Sequence, residues 1–473
     1  MHTKPAAPWS DLLRGRNGLR SLALAGGVAL HAVNVYIVTT ILPSVVHDIG
    51  GLEFYAWNTT LFVVASILGS ALSPKALGAL GARNGFLFAI LVFSLGTIAC
   101  ALAPSMPWLL LGRSAQGAGG GLLLGLSYSS VRIVFEERLW SRAMVLVSSM
   151  WGVATLAGPA IGGIFAQGGH WRWAFWSVLP IAAGLTWLVY TQVSPKLPVG
   201  SRRVEAPLGK ISILAMSVLL VSLASLSASL AWNVAGIVAG LLLTALVAWA
   251  DNRARVRLFP TGSYSFKTPL GSLYACICLL SIGVTTEIYV PYFLQVIHGK
   301  SPLIAGYWTA LMSAGWTAGS FLSSGRSLAT TNRLIKAGPV VSAISLLLLA
   351  ALMPLSDWNG GGNGMVVALV CVGVGVGLCW PNLLTRVFKS APTGQETIAS
   401  SAITTLQLYA MAMGASLAGM VTNAAGFLQP GGIVGAQQAA IALFALFACA
   451  PGLAVFISGG ARRAGGIVEK KAA

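Results

Sequence analysis

Charge is what this sequence has least of. Only 8% of its 473 residues are Asp, Glu, Lys or Arg, against about 25% in soluble domains. No charged stretch is long enough to fold as a separate soluble domain, which argues against a membrane-tethered enzyme. Acids are scarcer still, eleven against 29 basic residues. With the five histidines they are scattered, so the cluster that catalysis needs near one membrane face is missing. No enzyme activity and no cofactor are expected. The six cysteines (Cys100, Cys276, Cys278, Cys371, Cys379 and Cys449) all fall in apolar runs. Cys276 and Cys278 are two apart and share no helical face. They show neither a disulfide framework nor metal-ligand spacing and read as small packing residues, with no metal site.

What is abundant is apolar sequence, 56% of the chain. Runs near 20 residues recur from end to end, each able to cross a hydrocarbon core of roughly 30 Å. They fall near 20–42, 56–74, 85–104, 108–131, 143–166, 172–193, 211–230, 232–250, 270–294, 303–325, 336–354, 365–386, 398–422 and 435–458, fourteen in all. The seventh and eighth are separated only by 231–233, and dropping both would leave twelve. The first run follows Arg14, Arg16 and Arg20 and passes through Pro43, too long for a signal peptide, so it reads as a retained span.

A net charge of +18 could suggest nucleic acid, but the basic residues sit in short clusters between apolar runs, so no nucleic-acid partner is expected. With the N-terminus inside, 26 of the 29 fall in cytoplasmic segments. The opposite face receives only Arg172 and Lys300, and Arg113 lies within a span. One missing span would invert every later loop, so the asymmetry implies an even number with both termini cytoplasmic. The Pro-rich basic stretch 194–210 follows six spans, and a second basic segment, 251–267, precedes the last six. The expected organisation is therefore a six-helix bundle over 1–193, linker segments and two extra helices over 194–267, and a second six-helix bundle with its tail over 268–473. The fold class is all-α: a polytopic membrane protein with two six-helix bundles around a central cavity plus two extra central helices, the plan of a rocking transporter.

Small residues four apart let helix backbones approach closely. They occur as Gly117-Gly121-Gly125, Gly158-Gly162, Gly315-Gly319 and Gly373-Gly377, a pattern that static packing also explains. The fifth run reads GVATLAGPAIGG from Gly152 to Gly163 and is followed by HWRWAFW. The proline bends the helix and the glycines around it admit a neighbour. This resembles the GxxxGPxxGG motif of major facilitator antiporters, with Gly152, Gly158, Pro159, Gly162 and Gly163 in the motif positions. Span four, with Arg113, Gln116, Gly117 and Gly119, resembles that family's R-x-x-Q-G-x-G. YVPYFLQVIHGKSPLIAGYW at 289–308 and NVYIVTTILPSVVHDIGG at 34–51 are similar to segments of the fourteen-span drug:proton antiporters. The resemblance covers nearly the whole chain and implies a secondary transporter with protons as coupling ion.

Two departures stand out. The loop between spans two and three reads PKALGALGARNG, with Gly78 where the family carries an aspartate that helps a cytoplasmic gate. Span one has neutral Asn34 near the usual place of an acid. That directs attention to Glu287, the one acid set well inside an apolar run, roughly 13 Å from its outer end. A charge at that depth costs several kcal/mol unless paired, hydrated or protonated, so it is functional by default: a proton carrier, a counter-ion for a cationic substrate, or a structural carboxylate. Arg113 is the matching intramembrane cation, either organising the cavity or snorkelling to the surface. His31 lies mid-span, as a packing residue or a proton relay. Asn34, Tyr36, Gln116, Trp151, Tyr289, Tyr292, Trp316, Trp380, Asn382 and Gln407 are the candidate substrate-cavity residues. Trp108, Trp171, Trp173 and Trp358 read instead as interfacial anchors.

The leading reading is proton-coupled efflux of lipophilic or cationic small molecules, of the multidrug type, by alternating access. The alternative is a dedicated exporter or importer of one metabolite or siderophore, and a membrane enzyme or receptor-like sensor stands behind both. The expected setting is a bacterial inner membrane, with the lipid bilayer as partner and the protein a monomer. If the topology is right, a C-terminal fusion should be active with a cytoplasmic reporter. Activity of a periplasmic reporter at that position would overturn it.

Overall fold

A computed structural model describes residues 9–194, 207–227, 229–355 and 361–472. The proline-rich part of the first linker, Trp358 and the first eight residues lie outside these. Among the described residues there are helices and no strands. The helices are α1 Trp9–Leu13, α2 Gly15–Ile49, α3 Trp57–Ala101, α4 Met106–Val134, α5 Trp140–Gln167, α6 Trp171–Trp176, α7 Val178–Gln192, α8 Leu208–Ala224, α9 Leu230–Arg253, α10 Pro269–Val284, α11 Val290–Val296, α12 Pro302–Ser323, α13 Leu328–Leu352, α14 Gly361–Ser390, α15 Glu396–Thr422 and α16 Gly432–Ala472. Nine helical stretches among the described residues are long and apolar enough to span a bilayer on their own. Helices cover all fourteen expected runs, with α3 carrying two of them across a kink at Gly81 (φ 74°) and the sixth run divided between α6 and α7. Lipid leaves the backbone no other partner than its own helix.

Three expected boundaries are corrected. The break between spans seven and eight falls at 225–229, not 231–233. Ser225, Ser227 and Ser229 occupy it, and their hydroxyls offer the backbone local alternatives to the helix: Ser225 donates to Ser222 O at 2.6 Å and Ser229 N donates to Ser227 Oγ at 3.1 Å. The ninth run is not one helix. It is α10, a 3₁₀ turn over Thr285–Ile288, and α11. Pro291 sets this break, because its ring opposes the carbonyl four residues back, that of Glu287. Thr285 and Thr286 hydroxyls donate to the Ile282 and Gly283 carbonyls at 2.6 and 3.2 Å, taking up acceptors at the α10 end. Finally, α16 runs on to Ala472, well past the expected 458.

Helix starts follow from sequence. Thr268 accepts from Gly271 N at 3.1 Å and Ser301 from Ile304 N at 3.4 Å. Each is followed by proline at the first helical position, where no N–H is needed.

The chain forms two compact units: Met1–Gly50 with Leu61–Ile211, and Gly51–Thr60 with Ser212–Ala473. In the first, α2 packs on α5 through the GP motif. A Cβ on Gly158 would overlap the Tyr36 Cβ, and one on Gly162 would lie 2.8 Å from Ile37 O. Gly163 is buried, whereas Gly152 faces open space. The aromatic stretch after the motif ties the rim of this unit. Asp48 accepts from Trp171 Nε1 at 3.0 Å and Arg172 at 2.6 Å, and Arg172 also donates to Ala103 O at 3.0 Å. These donors hold the Asp48 carboxyl below the usual carboxylate range. Arg83 of the loop between spans two and three donates to Val193 O at 2.8 Å, at the end of α7, while a Cβ on Gly78 would point into open space.

In the second unit α8 and α9 are fastened to α15. Ser222 and Ser416 hydroxyls lie 2.6 Å apart, and Tyr409 OH is 2.6 Å from Thr244 Oγ1 and 3.3 Å from Ser217 Oγ. Val221, Ala224 and Met420 pack beside them. The extra pair, expected as a separate segment, is thus built into the C-terminal unit.

One helix seam of the first unit recurs in the second. In the first, Gly117 and Gly121 of α4 meet the Phe62 and Ser66 carbonyls of α3, and Gly69 meets Ala118 O and Leu122 N in return. In the second, Gly373 and Gly377 of α14 meet the Met312 and Trp316 carbonyls of α12, and Gly319 meets Val374 O and Leu378 N. Every member of one set is displaced from its counterpart by a constant number of residues within its helix. A duplicated six-helix bundle has this signature, with its second and fourth helices in backbone contact.

Gly158→Leu should abolish transport and lower the unfolding temperature in detergent. Overpacking of this kind costs about 1–3 kcal/mol. Gly152→Leu, with open space at the same motif, should leave both unchanged. Equal behaviour of the two would remove the α2–α5 seam as the explanation of the motif.

Candidate functional site

In the first unit the polar groups converge on Arg113. Gly112 and Gly117 let α4 approach its neighbours, and the arginine between them is 2% exposed. Its Nη1 donates to Asn34 Oδ1 at 2.6 Å and Gln116 Oε1 at 2.8 Å, and its guanidinium lies 4.0 Å from the Phe62 ring centroid. Gln116 in turn donates to Thr97 Oγ1 at 2.9 Å, and the Cys100 thiol donates to Gln116 Oε1 at 3.6 Å. Arg113 therefore does not snorkel; it is gripped by neutral amide oxygens and an aromatic face. Asn34 occupies, as an amide, the position opposite the guanidinium that an acid would fill in the family's pattern. Its Nδ2 is buried without a hydrogen-bond partner.

His31 lies one turn before Asn34 and rests on the same Phe62 ring, with centroids 5.1 Å apart. Trp151 meets it edge-on at 5.9 Å. Its Nδ1 faces Gly120 of α4 and is unpartnered. Tyr36 is half-buried, with its Cβ in the Gly158 notch. Asn34, His31, Arg113, Gln116 and Trp151 thus form one constellation, from three helices that the glycine seams bring together.

In the second unit Glu287 sits on the 3₁₀ turn and is half-buried. Among the described residues its carboxylate has no hydrogen bond and no ion pair. Gly414 of α15 admits Thr285 beside it. Tyr289 and Tyr292, expected to line a cavity, are instead packed into protein, at 1% and 8% exposure. Their rings belong to a cluster with Tyr55, Phe293 and Phe427, and Tyr289 OH accepts from Thr422 at 2.9 Å. This side of the cavity expectation is corrected for the present conformation: hydrophobic neighbours have taken the faces a solute would use. Trp316 and Trp380 form a pair 4.8 Å apart, both half-buried. Asn382 donates to Leu378 O on its own helix at 3.3 Å. Gln407 is half-buried on α15 and makes no hydrogen bond among the described residues.

Sequence reasoning missed Asp251. It is fully buried at the end of α9, where its carboxylate accepts from Leu258 N at 2.7 Å, Phe259 N at 3.0 Å and Tyr264 OH at 2.9 Å. This acid is a folding anchor for the 254–268 loop; burial first, and then its carboxylate, push the Tyr264 phenol up. The available signal was the aspartate itself, the only acid in a basic segment. Phe62 was also missed, because an apolar ring in an apolar run carries no sequence signal.

A profile described as Major Facilitator Superfamily matches residues 24–415. Two Mycobacterium tuberculosis sequences, each named "Probable multidrug-efflux transporter", are 36% identical over 452 residues, covering 93% of this chain and 94% of their own length. "Multidrug resistance protein 3" of Bacillus subtilis is 23% identical over 406 residues, covering 85% of this chain and 78% of its own. Among solved structures, a peptide transporter, POT, in complex with alafosfalin aligns at a TM-score of 0.66 with 14% identity, over 94% of this chain and 95% of that one. A bacterial homologue of the human lysosomal transporter Spinster aligns at 0.61 with 17% identity, over 99% and 98%. At these identities the structures speak for the fold. The repeated bundles, the buried Arg113 constellation on α4, the GP seam on α5 and the match over residues 24–415 agree, and the chain belongs to the major facilitator superfamily of membrane transporters.

Proposed function

We propose that this transporter couples proton movement to the export of lipophilic, in part cationic, small molecules by alternating access. The observation that carries the proposal is Glu287, a carboxylate on a break in a membrane helix that no hydrogen bond or ion pair among the described residues claims. A group fixed by partners cannot change its charge cheaply; one without them can gain and lose a proton, or give way to a cation, as the cycle proceeds. The helix break supports this reading, since discontinuous helices build ion sites in other transporters. The two tuberculosis relatives, named for multidrug efflux and matched over almost their whole length, support export and a broad substrate class.

In this reading Arg113 is the fixed cation of the first unit, with Asn34 and Gln116 as neutral holders, and His31 is the second titratable group beside it. Tyr36, Trp151, Trp316, Trp380, Asn382 and Gln407, polar or aromatic groups mostly half-buried in their units, contact substrate. Tyr289 and Tyr292 act only in conformations that release them. The protein sits as a monomer in a plasma membrane with both termini cytoplasmic, which the distribution of basic residues supports.

Glu287→Gln keeps shape and hydrogen-bonding capacity but cannot ionise. In proteoliposomes under an imposed pH gradient, the variant should lose substrate-induced proton movement and gradient-driven transport of ethidium, a flat lipophilic cation. Glu287→Asp should retain partial activity over a displaced pH range. Wild-type coupling in Glu287→Gln would move the carrier elsewhere, with His31 next in line. A growth panel of toxic cations and neutral compounds, with and without the protein, tests the substrate class: protection against one compound only would favour the dedicated exporter.

Replacing Arg113 separates its roles. Arg113→Lys keeps the charge but loses the planar guanidinium whose Nη1 reaches both Asn34 and Gln116 and whose face lies over the Phe62 ring. It should therefore fall well below wild type in ethidium efflux while the protein remains folded by thermal unfolding. Undiminished efflux would show that charge alone, and not the held geometry, is needed there.

A further inference from the structure

The first unit begins with a hook. After α1, Arg14 is extended (φ −106°, ψ 153°) and Gly15 is left-handed at φ 58°, a position that favours glycine and turns the chain sharply. α1 then lies against the first turns of α2. Asn17 Nδ2 donates to Asp11 O and the Ser21 hydroxyl to Leu12 O, each at 3.1 Å, and Leu12 is buried. A Cβ on Gly18 would overlap Leu13 O, so glycine admits the close approach.

Two arginines from the start of α5 and the turn before it meet this hook, and they differ. Arg138 is answered by carboxylates, Asp11 at 3.2 Å and Glu136 at 2.8 Å. Arg142 has instead the Trp9 ring, whose centroid lies 5.3 Å from its guanidinium carbon. Its Nη1 is buried with no hydrogen-bond partner among the described residues. The side chain as a whole is half-buried, so a charged oxygen can approach the guanidinium from outside.

The outward surface of the hook is mixed. Arg14 and Arg16 are exposed, and so are Leu13, Leu19 and Leu22. Depth explains the mixture. The 35 residues of α2 extend about 52 Å, whereas a hydrocarbon core is roughly 30 Å thick. The apolar run begins after Arg20. Arg14 and Arg16 therefore stand at headgroup level, and Leu19 and Leu22 where acyl chains begin.

We propose that the hook is a binding site for one anionic phospholipid of the leaflet that the N-terminus meets. Its phosphodiester pairs with Arg142, Arg14 and Arg16 add positive charge beside it, and an acyl chain lies along Leu19 and Leu22. Phosphate oxygens are the acceptors that Arg142 lacks, and their bonds to guanidinium are charge-assisted. A zwitterionic lipid carries its own ammonium against the arginines, so the anionic class is selected. Cations and leucines meet within one helical turn or two, which suits a ligand joining phosphate to acyl chain and not a soluble anion. The proposal is independent of the solute carried and of the coupling ion.

The test titrates the purified full-length protein in detergent with phosphatidylglycerol and counts bound lipid by native mass spectrometry. A basic residue near an anionic lipid surface is worth about fivefold in affinity. Arg142→Gln should weaken the tightest binding event by that factor, and Arg14→Gln/Arg16→Gln by more. Arg255→Gln, which removes an exposed arginine of the second unit, should leave it unchanged. Equal weakening by Arg255→Gln would reduce the effect to bulk charge and overturn the proposal. Location is read by hydrogen exchange in phosphatidylcholine nanodiscs: adding phosphatidylglycerol should protect residues 9–20 in wild type and not in Arg142→Gln. Inorganic phosphate in its place should give no protection; protection by phosphate alone would make this a site for a free anion and overturn the lipid. Arg14 and Arg16 are exposed, so their double variant tests the site even if Arg142→Gln fails to fold. Wild-type affinity and protection in that double variant would overturn the proposal by themselves.

Discussion

A backbone carbonyl or amide without a partner in hydrocarbon costs several kcal/mol, and this constraint gives the rest of the structure its meaning. It makes every span helical, and it makes any departure from the helix within a span costly enough to require a reason. The departure at Thr285–Ile288 is specified by Pro291 and stabilised by the Thr285 and Thr286 hydroxyls. The residue it leaves off the regular helix is Glu287. A proline, two threonines and one carboxylate within seven residues thus become a single device: a break that presents an ionisable group without regular helical neighbours.

The second constraint is that helices in lipid gain nothing from hydrophobic burial against each other, so close backbone approach must supply the attraction. The glycine seams do this in both units, with the same glycines meeting the same backbone atoms. Within each unit the second and fourth helices of the bundle therefore meet backbone to backbone. The hydroxyl contacts of Ser217, Ser222, Thr244, Tyr409 and Ser416 tie α8 and α9 to α15 within the second unit.

The third is charge. Arg113 is held by amide oxygens where the family's pattern carries an acid on span one. Glu287 lies in the other unit. Asp251 shows the contrast. It is more deeply buried than Glu287, yet two backbone amides and a phenol satisfy it, and it serves folding.

Composition and pattern alone determined the fold class and pointed to the glycines of the helix seams, because each is written in residues near one another in the chain: apolar runs of bilayer length and glycines four apart. Tertiary structure decided what depends on residues far apart. Gly120 against His31, Phe62 beneath Arg113, Asn34 as its partner and Tyr55 in the Tyr289 nest are meetings that no local spacing encodes. The break at Glu287 lay between these cases. Pro291 marked it in the sequence, but a proline in a membrane helix is compatible with an unbroken span, as Pro159 in α5 shows. Which of the two occurs depends on whether neighbouring groups satisfy the freed backbone, and that is settled only when the helices pack.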